Sequence, residues 1–279
     1  RGRAGVDLTE FGDLLQAGAI GFTDEDHPVG NNLLMHRALD YAHGFDALIL
    51  DHCEDESLAE GGVIRWGELA TRLGLRGWPP VAESIKVARN VDLAEFCDSR
   101  VHILHVSSRS SVEFIREARH RGVNVSAEVT PHHLTLTVDA LASYDTNYRV
   151  SPPLGTEDDR RALIEGLLDG TIDVITSDHE PHTEIEKDQM FSDAPSGVIG
   201  METAFAVLHH ELVRPGHIPL GVLIEKMTVQ PSRLLALGKG TLSEGADADV
   251  TVLDLDLAWR VDPERFLSRS RNCPWNGCE

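Results

Sequence analysis

Apolar and polar positions follow two alternating periodicities along the chain. Five short apolar runs are typical of buried strands and occupy residues 17–23, 47–51, 101–106, 123–129 and 172–175. Elsewhere apolar residues recur every three or four positions, as on a helix with one buried face, at residues 32–43, 80–97, 111–121, 158–169 and 220–237. Strands separated by helices pair in parallel through right-handed crossovers. The pattern therefore predicts an α/β fold built from five strand–helix units.

Local signals set the ends of some predicted helices. Ser110, with Glu113 three positions later, predicts a capping box for the helix at residues 111–121, and Gly122 follows as its stop. Pro231 interrupts the last helical stretch and predicts the start of a second helix there.

Side chains of the metal-ligand type stand where the predicted strands end. They are Asp24 to Asp26, His52, His105, His132 with His133, and Asp178. An open doubly wound sheet gathers ligands at one switch point, whereas a barrel collects them from many strand ends at one face. The spread favours an incomplete (β/α)8 TIM-type barrel. Since closure needs eight strands, about three more are expected before Arg1, where the chain opens close to a helix-like segment.

The periodicity changes in the last part of the chain. Residues 238–256 alternate in β fashion around a glycine turn, and no helix follows them. The sequence therefore predicts two parts, a partial barrel at residues 1–237 and the start of a small C-terminal β subdomain with a return segment at residues 238–279.

Composition narrows the classes of partner. The 279 residues include 46 acidic and 25 basic side chains, a net charge of -21, which argues against nucleic acid and anionic membranes. No apolar run approaches the roughly 20 residues that span a bilayer, and no signal peptide opens the chain. The four cysteines form no C-x-x-C pair, so reduced thiols are expected. A cytoplasmic location is predicted.

The stretch richest in candidate chemistry is residues 171–182, which read T-I-D-V-I-T-S-D-H-E-P-H. Its strand leads to Asp178, and His179, Glu180 and His182 follow. A carboxylate with imidazoles beside it suits metal binding and proton transfer. The alternative is an aspartate that caps the next turn beside two surface histidines. Histidines from two other strand ends would complete a zinc site that is open to water, and hydrolysis or its reverse is the implied reaction.

Six runs carry a specific resemblance. They read D-H-C-E-D (51–55), H-V-S-S-R-S-S-V-E (105–113), A-E-V-T-P-H-H-L (127–134), D-T-N-Y-R-V-S-P-P-L (145–154), S-D-H-E-P-H (177–182) and A-P-S-G-V-I-G-M-E-T (194–203). Their order and spacing resemble dihydroorotase of the class I type over nearly the whole chain. Six motifs in sequence are far less expected by chance than any one of them.

The resemblance implies an amidohydrolase-type barrel that binds one or two zinc ions. The implied reaction interconverts N-carbamoyl-L-aspartate and L-dihydroorotate in pyrimidine biosynthesis. Carried over by motif, His52 and His105 hold the second metal, and Asp178 ligates the first metal and acts as general acid and base. His182 and the backbone around Gly197 contact the small-molecule substrate.

Several positions depart from the family pattern. The bridging aspartate of the family falls at Glu25, which is one methylene longer, so Asp24 or Asp26 is an alternative bridge. A solvated acidic loop is the competing interpretation of this stretch. Ser151 stands where the family has a substrate-binding amide. Glu180 replaces a small residue and adds negative charge beside a site for a dianionic substrate.

Two absences from the sequence separate the candidate functions. The family carries H-x-H on its first barrel strand, and the 279 residues contain no such motif, so we expect it upstream. Hydantoinase and allantoinase bridge their metals with a carbamylated lysine, but no lysine precedes Lys86. The main alternatives are a zinc-dependent dihydroorotase and a non-catalytic dihydroorotase-like subunit that supports aspartate carbamoyltransferase. Retention of the ligands favours the enzyme, as a homodimer or with that partner, although this chain by itself is expected to be inactive.

The remaining strand-end histidines have structural roles in our prediction. His132 and His133 are adjacent and therefore point to opposite sides of an extended chain. One is expected to form hydrogen bonds behind the site, and the other to pack in the core. His102 alternates with His105 along one strand and is expected to face the surrounding helices.

Overall fold

The computed structural model describes residues 2–25 and 27–279, and its centre is a parallel sheet. The strands are β1 (Leu48–Asp51), β2 (Ile64–Arg65), β3 (Gly77–Trp78), β4 (Arg100–Ile103), β5 (Val125–Val129) and β6 (Val174–Ile175). The main sheet has the order β1-β4-β5-β6, and β2 pairs with β3 in a separate parallel pair. Neighbouring strands in the main sheet are therefore also consecutive along the chain once the small pair is set aside.

Helices follow the strands as the periodicity predicts. They are α1 (Phe11–Gln16), α2 (Asn32–His43), α3 (Glu56–Ala59), α4 (Glu68–Leu73), α5 (Val81–Cys97), α6 (Arg109–His120), α7 (Pro131–Thr135), α8 (Glu157–Asp169), α9 (Glu184–Lys187), α10 (Ala204–Leu208), α11 (Leu220–Met227) and α12 (Val229–Leu234). The break between the last two helices falls at Thr228, and Pro231 lies inside α12. No helix in the described ranges is both long enough and apolar enough to cross a bilayer.

The first predicted strand, at residues 17–23, pairs with the sheet at Phe22 alone. Its backbone N–H donates to Leu48 at 2.9 Å and its carbonyl accepts from Leu50 at 2.9 Å, beside the bridge to Ile49. Gly21 packs tightly against this pairing, because a Cβ there would lie 2.8 Å from a methyl of Leu50 and 3.3 Å from the Leu48 carbonyl oxygen. Five consecutive parallel elements thus line up in chain order, and the predicted α/β fold with an incomplete barrel wall is confirmed.

The main apolar core fills the space between one face of this sheet and its helices. From the strands it includes Val101, Ile103, Val125, Ala127 and Val129, all buried. Apolar side chains of helices α2, α5 and α6 pack against these strand residues and complete the core. Each of these helices therefore buries its apolar face against the sheet. Each large aliphatic side chain removed from water in this way stabilises the fold by about 1.5–3 kcal/mol.

The other face of the sheet carries polar side chains. His102 is fully buried there and contacts Ser126 Oγ at 2.8 Å and Glu128 Oε2 at 3.2 Å. The prediction that His102 faces the helices is therefore wrong. Strand β4 ends at Ile103 and His105 has a left-handed backbone with φ 30°, so strict alternation does not extend from one histidine to the other.

The start of helix α6 also differs from the prediction. The helix begins at Arg109, and its N-cap is Ser108, whose hydroxyl accepts from the backbone N–H of Ser111. The capping box expected at Ser110 is therefore wrong. Ser107 and Ser108 precede the predicted cap, and the chain uses Ser108, whose hydroxyl also donates to the buried carboxylate of Glu83.

The segment at residues 238–262, all of which the structure describes, forms neither helix nor strand. Apolar side chains such as Leu242 and Val252 are about nine-tenths exposed, at 88% and 90%. The division into a partial barrel and a β subdomain beginning at residue 238 stays a prediction.

Candidate metal centre

Three side chains from three successive strand ends converge at the carboxyl edge of the sheet. Glu25 Oε1 lies 3.2 Å from His105 Nε2 and 3.7 Å from His52 Nδ1, and the two imidazole nitrogens are 3.0 Å apart. Both histidines are buried. Of the described residues, only these three form a group of possible metal ligands with all donor atoms within 4.8 Å of one another. We call Glu25, His52 and His105 the ligand cluster.

The spacing of the ligand cluster fits a zinc ion. Zinc bonds of about 2.0–2.1 Å in a tetrahedral arrangement leave ligand atoms roughly 3.3 Å apart. The three distances in the cluster, 3.0, 3.2 and 3.7 Å, scatter around that value. The second carboxylate oxygen, Glu25 Oε2, is buried without a hydrogen-bond partner. A buried unpaired oxygen is costly unless a proton or a cation satisfies it, so the cluster suits a bound metal.

The local backbone structure directs the three side chains of the ligand cluster toward one another. His52 directly follows β1, whose parallel pairing with β4 brings its end beside that of the neighbouring strand. His105 adopts φ 30°, a conformation that non-glycine residues rarely occupy and that turns the chain out of the strand direction. The backbone N–H of Glu25 donates to Thr23 Oγ1 at 3.0 Å, and Arg3 donates to the Glu25 carbonyl at 2.6 Å. Three separate elements therefore supply one cluster.

Charges within the cluster perturb its titration. Burial raises the pKa of Glu25, but the hydrogen bond and charge of His105 outweigh it, so the pKa of Glu25 is lowered. Burial lowers the pKa of His105, but the hydrogen bond to Glu25 and nearby carboxylates outweigh it and raise that pKa to about 9. The cluster thus has the electrostatic character of a cation site, with a carboxylate that favours positive charge beside it.

The other acidic residues near the predicted bridge do not join the cluster. Asp24 accepts a hydrogen bond through its backbone carbonyl from the N–H of His27 at 2.8 Å. Its carboxylate is not a member of the three-residue group in the described part of the chain. Asp26, the other alternative bridge, lies outside the described residues. Of the two described acidic residues in this stretch, Glu25 is the one that the structure brings to the histidines.

Asp178 lies at the end of β6, close to the ligand cluster but outside it. Its carboxylate is 3.6 Å from His132 Nε2, and its backbone has φ 48°, again left-handed. Burial raises the pKa of Asp178, and the charges of Glu128 and Glu25 also raise it, against the lowering effect of His105. Asp178 and His105 thus lie close enough to influence each other's titration.

Glu128 is a site residue that sequence reasoning missed. It lies on β5, accepts from His102, and its negative charge raises the pKa values of both His105 and Asp178. The alternation of β5 contained the signal, because Val125, Ala127 and Val129 face the core and position 128 must face the opposite side.

The adjacent histidines have different surroundings. His133 is buried between Thr130 Oγ1 at 2.8 Å and the Pro152 carbonyl at 2.9 Å, and burial lowers its pKa to about 3. His132 is buried with neither ring nitrogen hydrogen-bonded, and burial lowers its pKa well below the usual value. His132 therefore lies beside Asp178. His133 instead contacts the loop that contains Ser151, through the Pro152 carbonyl.

The residues predicted to contact substrate lie on loops. His182 Nε2 lies 2.6 Å from the Ser196 carbonyl and 3.3 Å from Glu180 Oε1. Gly197 has φ 119°, and a Cβ built on it would meet the carboxylate of Glu180 at 2.3 Å. Asn272 joins the two segments by donating to the carbonyls of Glu180 and Gly197 at 2.9 and 3.1 Å. The Glu180 side chain therefore covers the backbone at Gly197.

Known proteins resemble this chain in sequence over nearly all of its length. A profile described as Dihydro-orotase-like matches residues 2–111. Dihydroorotases of Pelotomaculum thermopropionicum and Syntrophus aciditrophicus are 51% and 48% identical to the chain over 277 residues, 99% of this chain. The chain spans about 65% of the length of these curated relatives.

Solved structures give the same fold. L-hydantoinase (dihydropyrimidinase) from Arthrobacter aurescens superposes with a TM-score of 0.86 at 26% identity, covering 95% of this chain and 62% of that one. Dihydropyrimidinase from Brevibacillus agri gives a TM-score of 0.77 at 26% identity, covering 88% and 56%. The parallel wall, the ligand-type side chains at its carboxyl edge and this likeness define a TIM-barrel amidohydrolase. Within that class, the chain is similar in sequence to the dihydroorotases, as its six motifs predict.

Proposed function

We propose that the protein is a zinc-dependent dihydroorotase and that this chain supplies its proton carrier and part of its metal site. The observation that carries the proposal is the convergence of Glu25, His52 and His105 within 4.8 Å of one another, from three strand ends. Asp178 follows β6 and lies next to His132. A structural role alone does not require two buried imidazoles and a carboxylate at one point.

The roles of the side chains follow from their chemistry. Glu25, His52 and His105 would hold one zinc ion, and Asp178 would contribute to a second site completed by other residues. Bound zinc supplies Lewis acidity that makes water nucleophilic near neutral pH. Asp178 accepts the proton of the attacking water and delivers it to the ring nitrogen that leaves; ring closure reverses these steps. Ser151, His182 and the backbone at Gly197 contact the substrate.

Glu25 stands where the family has a bridging aspartate. The additional methylene moves the carboxylate outward by roughly one bond length relative to aspartate. The backbone of Glu25 is fixed at a distance that still leaves Oε1 3.2 Å from His105 Nε2. A glutamate therefore reaches the histidines, and no lysine lies ahead of Lys86 in the sequence to act as a carbamylated bridge in its place.

One observation favours a second candidate, a non-catalytic subunit that supports aspartate carbamoyltransferase. The carboxylate of Glu180 occupies the space beside Gly197, where an anionic substrate would have to approach. A protein that no longer turns over substrate tolerates such a charge, whereas an enzyme must overcome it. Under either candidate, the protein is cytoplasmic in our proposal, since its four cysteines are free thiols, and it assembles as a homodimer or with that transferase.

The deciding experiment combines metal analysis with a ring-closure assay. The full-length protein is expected to bind zinc and to convert N-carbamoyl-L-aspartate into dihydroorotate, whereas Asp178→Asn should bind substrate and turn over far more slowly. Asp188→Asn, on an exposed carboxylate of the neighbouring loop, is the matched control. Zinc binding without turnover, together with stabilisation of the transferase, would support the non-catalytic candidate. Equal activity of Asp178→Asn and its parent would refute the proposed mechanism.

A further inference from the structure

Glu83, in the first turn of α5, is a buried carboxylate that the mechanism does not use. Only 2% of it is exposed, yet both of its oxygens are satisfied by two consecutive residues. Ser107 N–H donates to Oε2 at 3.1 Å and Ser108 N–H donates to Oε1 at 3.1 Å. The hydroxyl of Ser108 donates to Oε1 at 2.8 Å, and that of Ser107 donates to Oε2. One side chain therefore accepts from every polar hydrogen on this two-residue segment.

A guanidinium holds the same segment from another element. Arg65, on β2, is 2% exposed and donates to the Ser107 carbonyl at 2.9 Å. It also pairs with Asp159 at 3.0 Å, and Asp159 accepts from the backbone N–H of Arg109 at 2.9 Å. The chain at residues 107–109 is thus fixed by Glu83, Arg65 and Asp159, three buried charged groups on three different elements.

This segment begins two residues after His105, which has the left-handed backbone described above. A residue in that conformation is strained and keeps it only when its surroundings determine the backbone. On the near side, Val106 N–H donates to the Glu128 carbonyl at 2.9 Å. On the far side, the serines are held by Glu83. The direction of the His105 ring therefore depends on a carboxylate that does not touch it.

We propose that Glu83 is a positioning residue of the metal site, which sets the orientation of His105 through Ser107 and Ser108. The inference rests on the proposed metal site and adds to it a residue with no direct contact to the ligand cluster. Substituting groups that orient ligands typically weakens metal affinity on the order of 10–100-fold. A glutamine at position 83 is nearly isosteric, but its amide nitrogen cannot accept, so the donors on one serine lose their partner.

The test measures zinc affinity by competition with a chelator in the full-length protein. Glu83→Gln is expected to weaken zinc binding about 10–100-fold, and Ser107→Ala, which removes one of the four donors, by a smaller factor. Glu95→Gln is the control, since Glu95 lies on the same helix but is exposed and pairs with Arg121. Unchanged zinc affinity in both Glu83→Gln and Ser107→Ala would overturn the inference, even if the unfolding midpoint falls.

A second readout does not depend on metal. In the metal-free protein, amide hydrogen exchange at residues 105–108 should speed up in Glu83→Gln and Ser107→Ala, with exchange in β5 unchanged. If Glu83→Gln does not fold, Ser107→Ala decides the question in both assays. Should the parent and His52→Gln retain the same zinc, the proposed metal site is wrong, and the exchange data still decide whether Glu83 fixes the backbone at His105.

Discussion

The ligand cluster and the loops around it differ in how they are held. His52 and His105 are 5% and 4% exposed, follow strands of the main sheet, and lie beside buried hydrogen-bonded anchors. Glu180 and His182 stand on a loop after β6, and the Glu180 side chain is 47% exposed. The cluster is set by the fold, and the loops are set by their own local contacts. Under the proposed function, metal binding and substrate selectivity are therefore separable properties of this site.

The largest expected effect is the loss of turnover when Asp178, the proposed proton carrier, is replaced. Asp178→Asn keeps the shape of the side chain but removes its basicity, so turnover in the full-length protein should fall about 10²–10⁴-fold. Steady-state ring closure at saturating substrate measures the loss. A fall in substrate affinity with turnover preserved would assign Asp178 to the loops rather than to the chemistry.

Removal of a cluster imidazole should act on metal binding. His52→Gln deletes one of three donors, so zinc affinity should fall by more than the roughly 100-fold upper range for groups that only orient ligands. Zinc content after dialysis and chelator competition measure it, with the exposed His120→Gln as control. Retention of zinc by the variant would show that these three residues do not form the site.

The buried histidine that fastens the loop of Ser151 predicts a pH effect on stability. The pKa of His133 is lowered to about 3 by burial, below an unfolded value of about 6.5. The unfolded chain therefore binds the proton first as pH falls, and stability is lost below pH 6.5. Between pH 7 and pH 5 the free energy of unfolding should fall by about 2 kcal/mol from this group.

Denaturant unfolding of the parent and of His133→Gln checks this effect. The amide of glutamine can still donate toward the Pro152 carbonyl, so the variant should lose most of the difference between pH 7 and pH 5. His210→Gln, on an exposed histidine, should keep it. An identical pH dependence in parent and His133→Gln would mean that the pKa of this ring is the same in the folded and unfolded chains.

The smallest effect concerns the loops. A unit charge about 4 Å from an anionic group in water costs roughly 1 kcal/mol, a factor of about five. Glu180→Gln should accordingly lower KM for carbamoyl aspartate about fivefold and leave kcat nearly unchanged. The exposed Glu184→Gln nearby is the matched control. An unaltered KM, or one that falls equally in the control, would remove Glu180 from substrate discrimination and weaken the contrast between loops and cluster.

Much of this arrangement was predictable because strand ends carry a sequence signal. Apolar runs located the ends at which His52, His105 and Asp178 stand, and parallel pairing then required them to share one edge. The facing of His102 was mispredicted from its spacing to His105, because alternation stops where the backbone of His105 turns left-handed. Its apolar neighbours Val101 and Ile103, which face the core, carried the correct signal.

The burial of charged residues was the other feature that the sequence did not reveal. On α5, Glu83 and Lys86 are buried and Arg89 is half-buried, yet in sequence they read like the solvated face of an amphipathic helix. Their role depends on residues far away in sequence: Glu83 binds serines 24 and 25 positions later. Such partners become visible only when the sheet brings the loops to the helix.

The left-handed backbones at His105 and Asp178 bear on any attempt to engineer this centre. A designer who grafts the imidazoles and the carboxylate onto another barrel wall would obtain ordinary extended conformations at both positions, with the side chains pointing along different vectors. A graft would therefore have to include the whole connection between β4 and α6, with Ser107 and Ser108, and also Glu83, which accepts their hydrogen bonds.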